Sequence, residues 1–169
     1  MCCKNFMKYF LGVDPGALGA LAVINEDGVL VAVHDMPFDL VKIGKTNKKR
    51  INAEKIQKIL SEMQSNLFGN QCCAWVEKVG ARPGQGVSSC FAFGEAYGLV
   101  RGVMAGLCIP THTVAPAVWK KALRLGSSKE SSRLMAMEIW PEDARVFKRV
   151  KDDGRAEAAL LALYGKTNT

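Results

Sequence analysis

Apolar runs broken by short polar stretches divide the first part of the chain into three segments. Phe6–Val13, Leu18–Asn25 and Val29–Met36 are dense in Val, Leu and Ile and too short for helices, so each is predicted as a strand. Asp14-Pro15-Gly16 separates the first two, and Glu26-Asp27-Gly28 the second two. Asp-Gly accepts the positive φ of a tight hairpin turn, so the three strands are expected as an antiparallel meander. From Asn52 the period changes. Ile56, Ile59, Leu60 and Met63 recur at helical spacing behind a residue suited to an N-cap, and Gly69-Asn70 closes that helix.

Cys72–Val76 then reads as a short buried strand, followed by a loop from Val79 to Gly86 and a long helix over Val87–Leu107. Gly94, Gly98, Gly102 and Gly106 recur every four residues along that helix, each costing about 1 kcal/mol relative to alanine. Such a stripe predicts close backbone packing, either within the subunit or across a dimer seam. Glu95 and Arg101 inside it exclude a membrane helix. Pro110–Val114 is predicted as a strand, Trp119-Lys120-Lys121 as part of a short helix, Lys129–Trp140 as a helix capped by Ser127-Ser128, and Asp153–Tyr164 as the last helix. A meander followed by alternating helices and strands predicts an α/β fold: a five-stranded mixed sheet, three strands antiparallel and two parallel, flanked by helices.

With 169 residues and no repeat, a single domain is expected. Hydrophobic residues make up 49% of the chain and no apolar run is long enough for a membrane span. The net charge of +7 and pI of about 9.2 make nucleic acid a natural partner. Lys42, Lys45, Lys48, Lys49 and Arg50 concentrate that charge in one polar loop between the third strand and Asn52. The six cysteines form no CxxC pair and stand far from His34 and His112, so they are expected to be free, buried thiols in a reducing, intracellular compartment rather than zinc ligands.

Four acids carry the chemistry. Asp14 closes the first strand, Glu77 closes the Cys72–Val76 strand, and Asp153 and Glu157 open the last helix four residues apart, on one face. The run Ala158–Leu163 is almost wholly apolar, so the base of that helix is buried and its carboxylates need a cationic partner. Oxygen ligands suit Mg²⁺, and a pair of such ions serves phosphodiester hydrolysis. Asp152 points about 100° away from Asp153 on a helix and is the weaker candidate. No GxxxxGK[ST] or GxGxxG occurs, so Gly12–Gly19 is not a nucleotide-binding turn of those kinds.

Phe10-Leu-Gly-Val-Asp14-Pro-Gly16, Trp75-Val-Glu77, Pro116-Ala-Val-Trp119-Lys120 and Asp153-Gly-Arg-Ala-Glu157-Ala together resemble the RuvC-type Holliday junction resolvases of the ribonuclease H-like superfamily, over about residues 8 to 165. The Gly-Arg-Ala-Glu-Ala ending and the Trp-Lys pair are most similar to the phage, prophage and chloroplast branches; the four-residue spacing of the last two acids departs from the bacterial pattern and resembles the chloroplast-like branch, where the first of the pair is commonly histidine rather than Asp153.

The resemblance implies a homodimeric, metal-dependent endonuclease that nicks four-way DNA junctions symmetrically, leaving 5′-phosphate and 3′-hydroxyl ends. Asp14, Glu77, Asp153 and Glu157 would hold two Mg²⁺ ions, with Mn²⁺ able to substitute. Lys120 would face the developing charge or a phosphate. DNA contacts are expected from Lys42, Lys45, Lys48, Lys49, Arg50, Arg82, Gln85, Lys120 and Arg155. The competing expectations are a related nuclease for other branched DNA or RNA–DNA hybrids, and a catalytically inactive junction binder. The setting would be the cytoplasm of a bacterium or virus-infected cell, or an organellar matrix.

Overall fold

A computed structural model describes residues 7–69, 71–81, 84–126 and 128–169. Its centre is a five-stranded sheet in the order β3-β2-β1-β6-β7, built from β1 (Tyr9–Val13), β2 (Ala20–Asn25), β3 (Leu30–Asp35), β6 (Cys72–Glu77) and β7 (Thr111–Val114). β1, β2 and β3 form the antiparallel meander, while β6 runs parallel to β1 and β7 parallel to β6. The predicted mixed sheet is therefore present. Gly28 takes φ +86° in the β2–β3 turn, where the Asn25 side chain accepts from the Asp27 and Val29 amides. The first strand begins three residues later than expected, and Phe6 lies outside the described residues, as do Cys2, Cys3, Asn70, Arg82 and Ser127.

The alternation of side chains along β1 assigns the two faces. Leu11 and Val13 point to one core with Leu21, Val23, Ala74 and Val76, covered by α1 (Ala53–Met63) and α2 (Val87–Gly106). Phe10 points to the other, with Ala22, Ile24 and Trp75, covered by α5 (Asp153–Thr167) together with α3 (Pro116–Ala122) and α4 (Lys129–Ile139). Cys72 and Cys73 fall on opposite faces, as neighbours on a strand must. Cys108 is exposed, contrary to the expectation that the thiols are buried. Asn52 caps α1 by accepting from the Lys55 amide at 2.9 Å, and Ser128 caps α4 in the same way from Ser131 at 3.2 Å. Among the described residues, no helix is long and apolar enough to cross a membrane.

Two expectations are corrected. The basic stretch is not a loop but an antiparallel hairpin, β4 (Phe38–Ile43) and β5 (Thr46–Ile51), which forms a separate two-stranded sheet. Gly44, at φ +60°, fills the first central position of its two-residue turn, where glycine is favoured. The glycine stripe of α2 does not pack within the subunit, because a Cβ built at Gly94, Gly98, Gly102 or Gly106 meets nothing within 4 Å. The inward face of α2 is Ala96, Val100 and Met104 instead.

Candidate active site

Strand parity brings the first two acids together. Asp14 follows β1 in step with Phe10 and Gly12, and Glu77 ends β6 in step with Cys73 and Trp75, so both face the α5 side. The register Val13↔Val76 sets the two at neighbouring carboxyl ends of parallel strands, where ligands of open α/β sheets gather. α5 reaches the same place because its N-terminal turn lies on the loop after β1: a Cβ at Gly154 would stand 2.4 Å from the Leu18 carbonyl oxygen. Asp14, Asp153 and Glu157 accordingly line one cleft of about 430 Å³, with Gly16, Leu18, Phe93 and Lys151.

Glu77 stands behind this cleft, largely buried, and Trp119 Nε1 donates to its Oε2 at 2.9 Å. Burial pushes its pKa from an ordinary 4.5 up to about 7; the Trp119 hydrogen bond opposes this, the charges of Asp14 and Glu157 add to it, and Lys120 opposes it. Glu77, Asp14 and Glu157 thus form one electrostatic group, and Asp153 shares the cleft with the last two. The Asp14 side chain also accepts from the Gly16 amide at 3.1 Å, which shapes the turn after β1.

Two cations neutralise the α5 pair. Lys120 Nζ lies 2.6 Å from Glu157 Oε1, and Arg133 Nε lies 3.1 Å from Asp153 Oδ1. The Arg133 Nε hydrogen is not directed at that oxygen, and the atom is buried without a hydrogen-bond partner. Ser132, fully buried, reaches Glu157 Oε1 at 3.5 Å. Among the described residues, no group of three or more His, Cys, Asp or Glu side chains is arranged to hold a metal ion as it stands. The donors are nonetheless all hard oxygens, the kind Mg²⁺ takes. A cation entering the cleft has Lys120 and Arg133 as its competitors for Glu157 and Asp153.

Asp152 and Asp153 are placed differently. Asp152 is buried, held by Arg149 Nη2 at 2.8 Å and by the Arg149 amide at 2.8 Å, and does not line the cleft. Arg155 is committed elsewhere too, forming a two-pronged pair with Asp35 at 2.5 and 2.6 Å. Gln85 lies just before α2, and Arg82 is outside the described residues. Phe91 and Phe93 are both outside the core, Phe93 on the cleft wall. Sequence reasoning missed Arg133, Ser132 and the hydrogen bond from Trp119 to Glu77. Ser132 and Arg133 carry no local signal, since they become site residues only when α4 docks on α5.

The raised pKa of Glu77 has a consequence whose sign can be measured. Between pH 4.5 and pH 7 the unfolded chain has released the Glu77 proton while the folded chain keeps it, so stability falls as pH rises through that window. Glu77→Gln keeps an acceptor for Trp119 and removes the buried charge. In EDTA above pH 7 it is expected to be more stable than wild type by about 2–3 kcal/mol, with no gain below pH 4.5, as read from urea melts at the two ends of the window. Equal stability of the two proteins at high pH would mean that Glu77 is solvated.

No family model matches the chain, and no curated protein matches it. Solved structures do. T. thermophilus RuvC in complex with a Holliday junction substrate aligns at TM-score 0.60 and 18% identity, covering 93% of this chain and 91% of that one. The Thermus thermophilus RuvC structure aligns at TM-score 0.53 and 18% identity, covering 95% and 97%. The fold is RuvC-like.

Proposed function

We propose that the chain is a structure-selective endodeoxyribonuclease that resolves four-way DNA junctions as a homodimer. One observation carries the reading: the Asp14, Asp153 and Glu157 carboxylates line one cleft of a RuvC-like fold, and the buried Glu77 ends the strand beside Asp14 and feels the charges of Asp14 and Glu157. A structural neighbour bound to a Holliday junction substrate supports the choice of DNA. The four-residue spacing of Asp153 and Glu157 supports the chloroplast-like branch within that class, and the Gly-Arg-Ala-Glu-Ala ending and Trp-Lys pair support the phage, prophage and chloroplast branches together.

Asp14, Glu77, Asp153 and Glu157 would hold two Mg²⁺ ions, or Mn²⁺ in their place. Such ions supply an acidified water and charge stabilisation at the leaving 3′ oxygen. Asp14, tethered by the Gly16 amide, presents an oriented carboxylate. Trp119 fixes the Glu77 carboxylate while shielding it from solvent. Lys120, released from Glu157, is placed to meet a phosphate oxygen. A junction has two equivalent strands to cut, which calls for two sites related by a two-fold axis. The open glycine face of α2 is the surface we assign to that seam.

A panel of labelled four-way junction, linear duplex and RNA–DNA hybrid, with Mg²⁺, Mn²⁺ or EDTA, tests the reading. Paired symmetric nicks confined to the junction, dependent on either metal and made in one encounter, are expected. Preference for the hybrid would make the chain a different ribonuclease H-like nuclease. Junction binding with no cleavage in either metal would make it an inactive binder.

A further inference from the structure

The β4–β5 hairpin meets the core on the α1/α2 side at its base, through Ile51, and projects away from it. Its base is anchored: Ile51 is buried, Arg50 pairs with Glu95 of α2 at 3.3 Å, and Asp39 pairs with Lys55 of α1 at 2.6 Å and accepts from Asn52 at 2.6 Å. Beyond that base no described residue buries it, and residues 40–49 are all exposed. Leu40, Val41 and Ile43 are 63%, 43% and 45% exposed, an unusual state for three aliphatic residues within four positions. Lys42, Lys45, Lys48 and Lys49 are interleaved with them, and no acidic residue occurs from Leu40 to Ala53.

The pairing shows how these groups are distributed. Leu40 is opposite Lys49 and Lys42 opposite Asn47 on one face; Val41 is opposite Lys48 and Ile43 opposite Thr46 on the other. Both faces are therefore cationic and apolar at once. A flat protein partner would cover one face and leave the other bare. A nucleic-acid groove encloses a ribbon on both sides, with phosphates along each rim. The major groove of B-DNA, about 12 Å wide, admits a two-stranded β-ribbon. At about 3.3 Å per residue, six-residue strands give the hairpin a reach of about 20 Å.

The hairpin is also continuous with the cleft. Lys49 and Arg50 line a recess with Gly16, Ala17 and Phe93, and these last three also line the cleft that holds Asp14, Asp153 and Glu157. A strand leaving the scissile position along that surface meets the hairpin base first and its lysines next.

We infer that the β4–β5 hairpin is a ribbon that inserts into the major groove of a duplex arm and grips it away from the cut site. The inference rests on the junction-nuclease reading for its substrate, and it adds a second contact region to that reading. Each lysine on a phosphate releases condensed counterions, so the hairpin makes a separable share of the salt dependence.

The test uses the full chain in EDTA, bound to a labelled junction with long arms. Two readouts are taken: the slope of log affinity against log salt, and dimethyl sulfate protection of guanine N7, which opens only to the major groove. Wild type is expected to protect N7 on one face of an arm, over a stretch no longer than the ribbon's reach of about 20 Å, roughly six base pairs. The variant Lys42→Glu/Lys45→Glu/Lys48→Glu is expected to lose that protection and to lower the slope by about two to three. Lys58→Glu, an equivalent exposed reversal on α1, should change neither. Circular dichroism melts check that the triple variant is folded.

Unprotected N7 in wild type, or equal salt slopes for wild type and triple variant, overturns the inference. So does conversion of a wild-type dimer to monomer by the triple variant in sedimentation, because the hairpin would then be a protein seam. Junction cleavage with no arm protection sinks the ribbon alone. Arm protection with no cleavage in Mg²⁺ or Mn²⁺ sinks the nuclease reading and leaves the ribbon standing as a DNA grip.

Discussion

Asp14→Asn is expected to leave the fold and junction binding in place while slowing cleavage about a thousandfold, roughly 4 kcal/mol of lost transition-state stabilisation. The side chain is isosteric, and its remaining oxygen can still accept from the Gly16 amide. What disappears is one full negative charge at the point where β1 and β6 end side by side. Removing a single electrostatic stabiliser from an organised site commonly costs two to three orders of magnitude, and a residue that holds the cation should lie at the upper end. Two measurements check it together: single-turnover nicking of a labelled junction in Mg²⁺, and melting in EDTA. The melt should be unchanged or higher, because one of the charges that repel Glu77 has gone. Nicking within about tenfold of wild type would remove Asp14 from the reacting centre.

The sheet was legible because burial imposes a pattern. β1, β2 and β6 are covered on both faces, so their sequences are continuous apolar runs, and the acid ending each of β1 and β6 stands out against them. Parity along those strands already puts Asp14 and Glu77 on one face. The hairpin was illegible for the converse reason. With neither face buried, nothing enforces alternation, and Leu40-Val41-Lys42-Ile43 followed by Thr46–Arg50 reads as a charged loop. The cations at the site were illegible for another reason: whether Lys120 meets Glu157, or Arg133 meets Asp153, depends on how α3 and α4 dock on α5, a matter of tertiary placement.

The glycines divide in the same way. Regular spacing drew attention to Gly94, Gly98, Gly102 and Gly106, yet these face open space in the subunit. The glycine that the fold needs most has no periodic signal at all. Gly12 is the fourth of the five residues of β1, under α5, and a Cβ there would be 1.9 Å from the Ala158 carbonyl oxygen and 2.5 Å from the Ala162 amide nitrogen. Both obstacles are backbone, so no change of rotamer relieves them.

Gly12→Ala must therefore push α5 off the sheet. Overpacking of a well-filled core costs about 1–3 kcal/mol and more where the backbone has to move. Where β1 meets it, α5 presents the backbone of Ala158 and Ala162, so no longer side chain at the point of contact can bend aside. A loss of at least about 3 kcal/mol is expected, a large part of the 5–15 kcal/mol that holds a typical domain folded. That corresponds to a fall in melting temperature of about 10 °C for a chain of this size. Gly94→Ala is the matched control for the single subunit: melted at a concentration where the chain is monomeric, the same added methyl on an open helical face should stabilise by up to about 1 kcal/mol through helix propensity. Because Asp153 and Glu157 ride on the displaced helix, any Gly12→Ala protein that still folds should also cleave poorly, with its carboxylates drawn away from Asp14. Melting of Gly12→Ala within a degree or two of wild type would show that α5 does not lie on β1 as closely as the site requires.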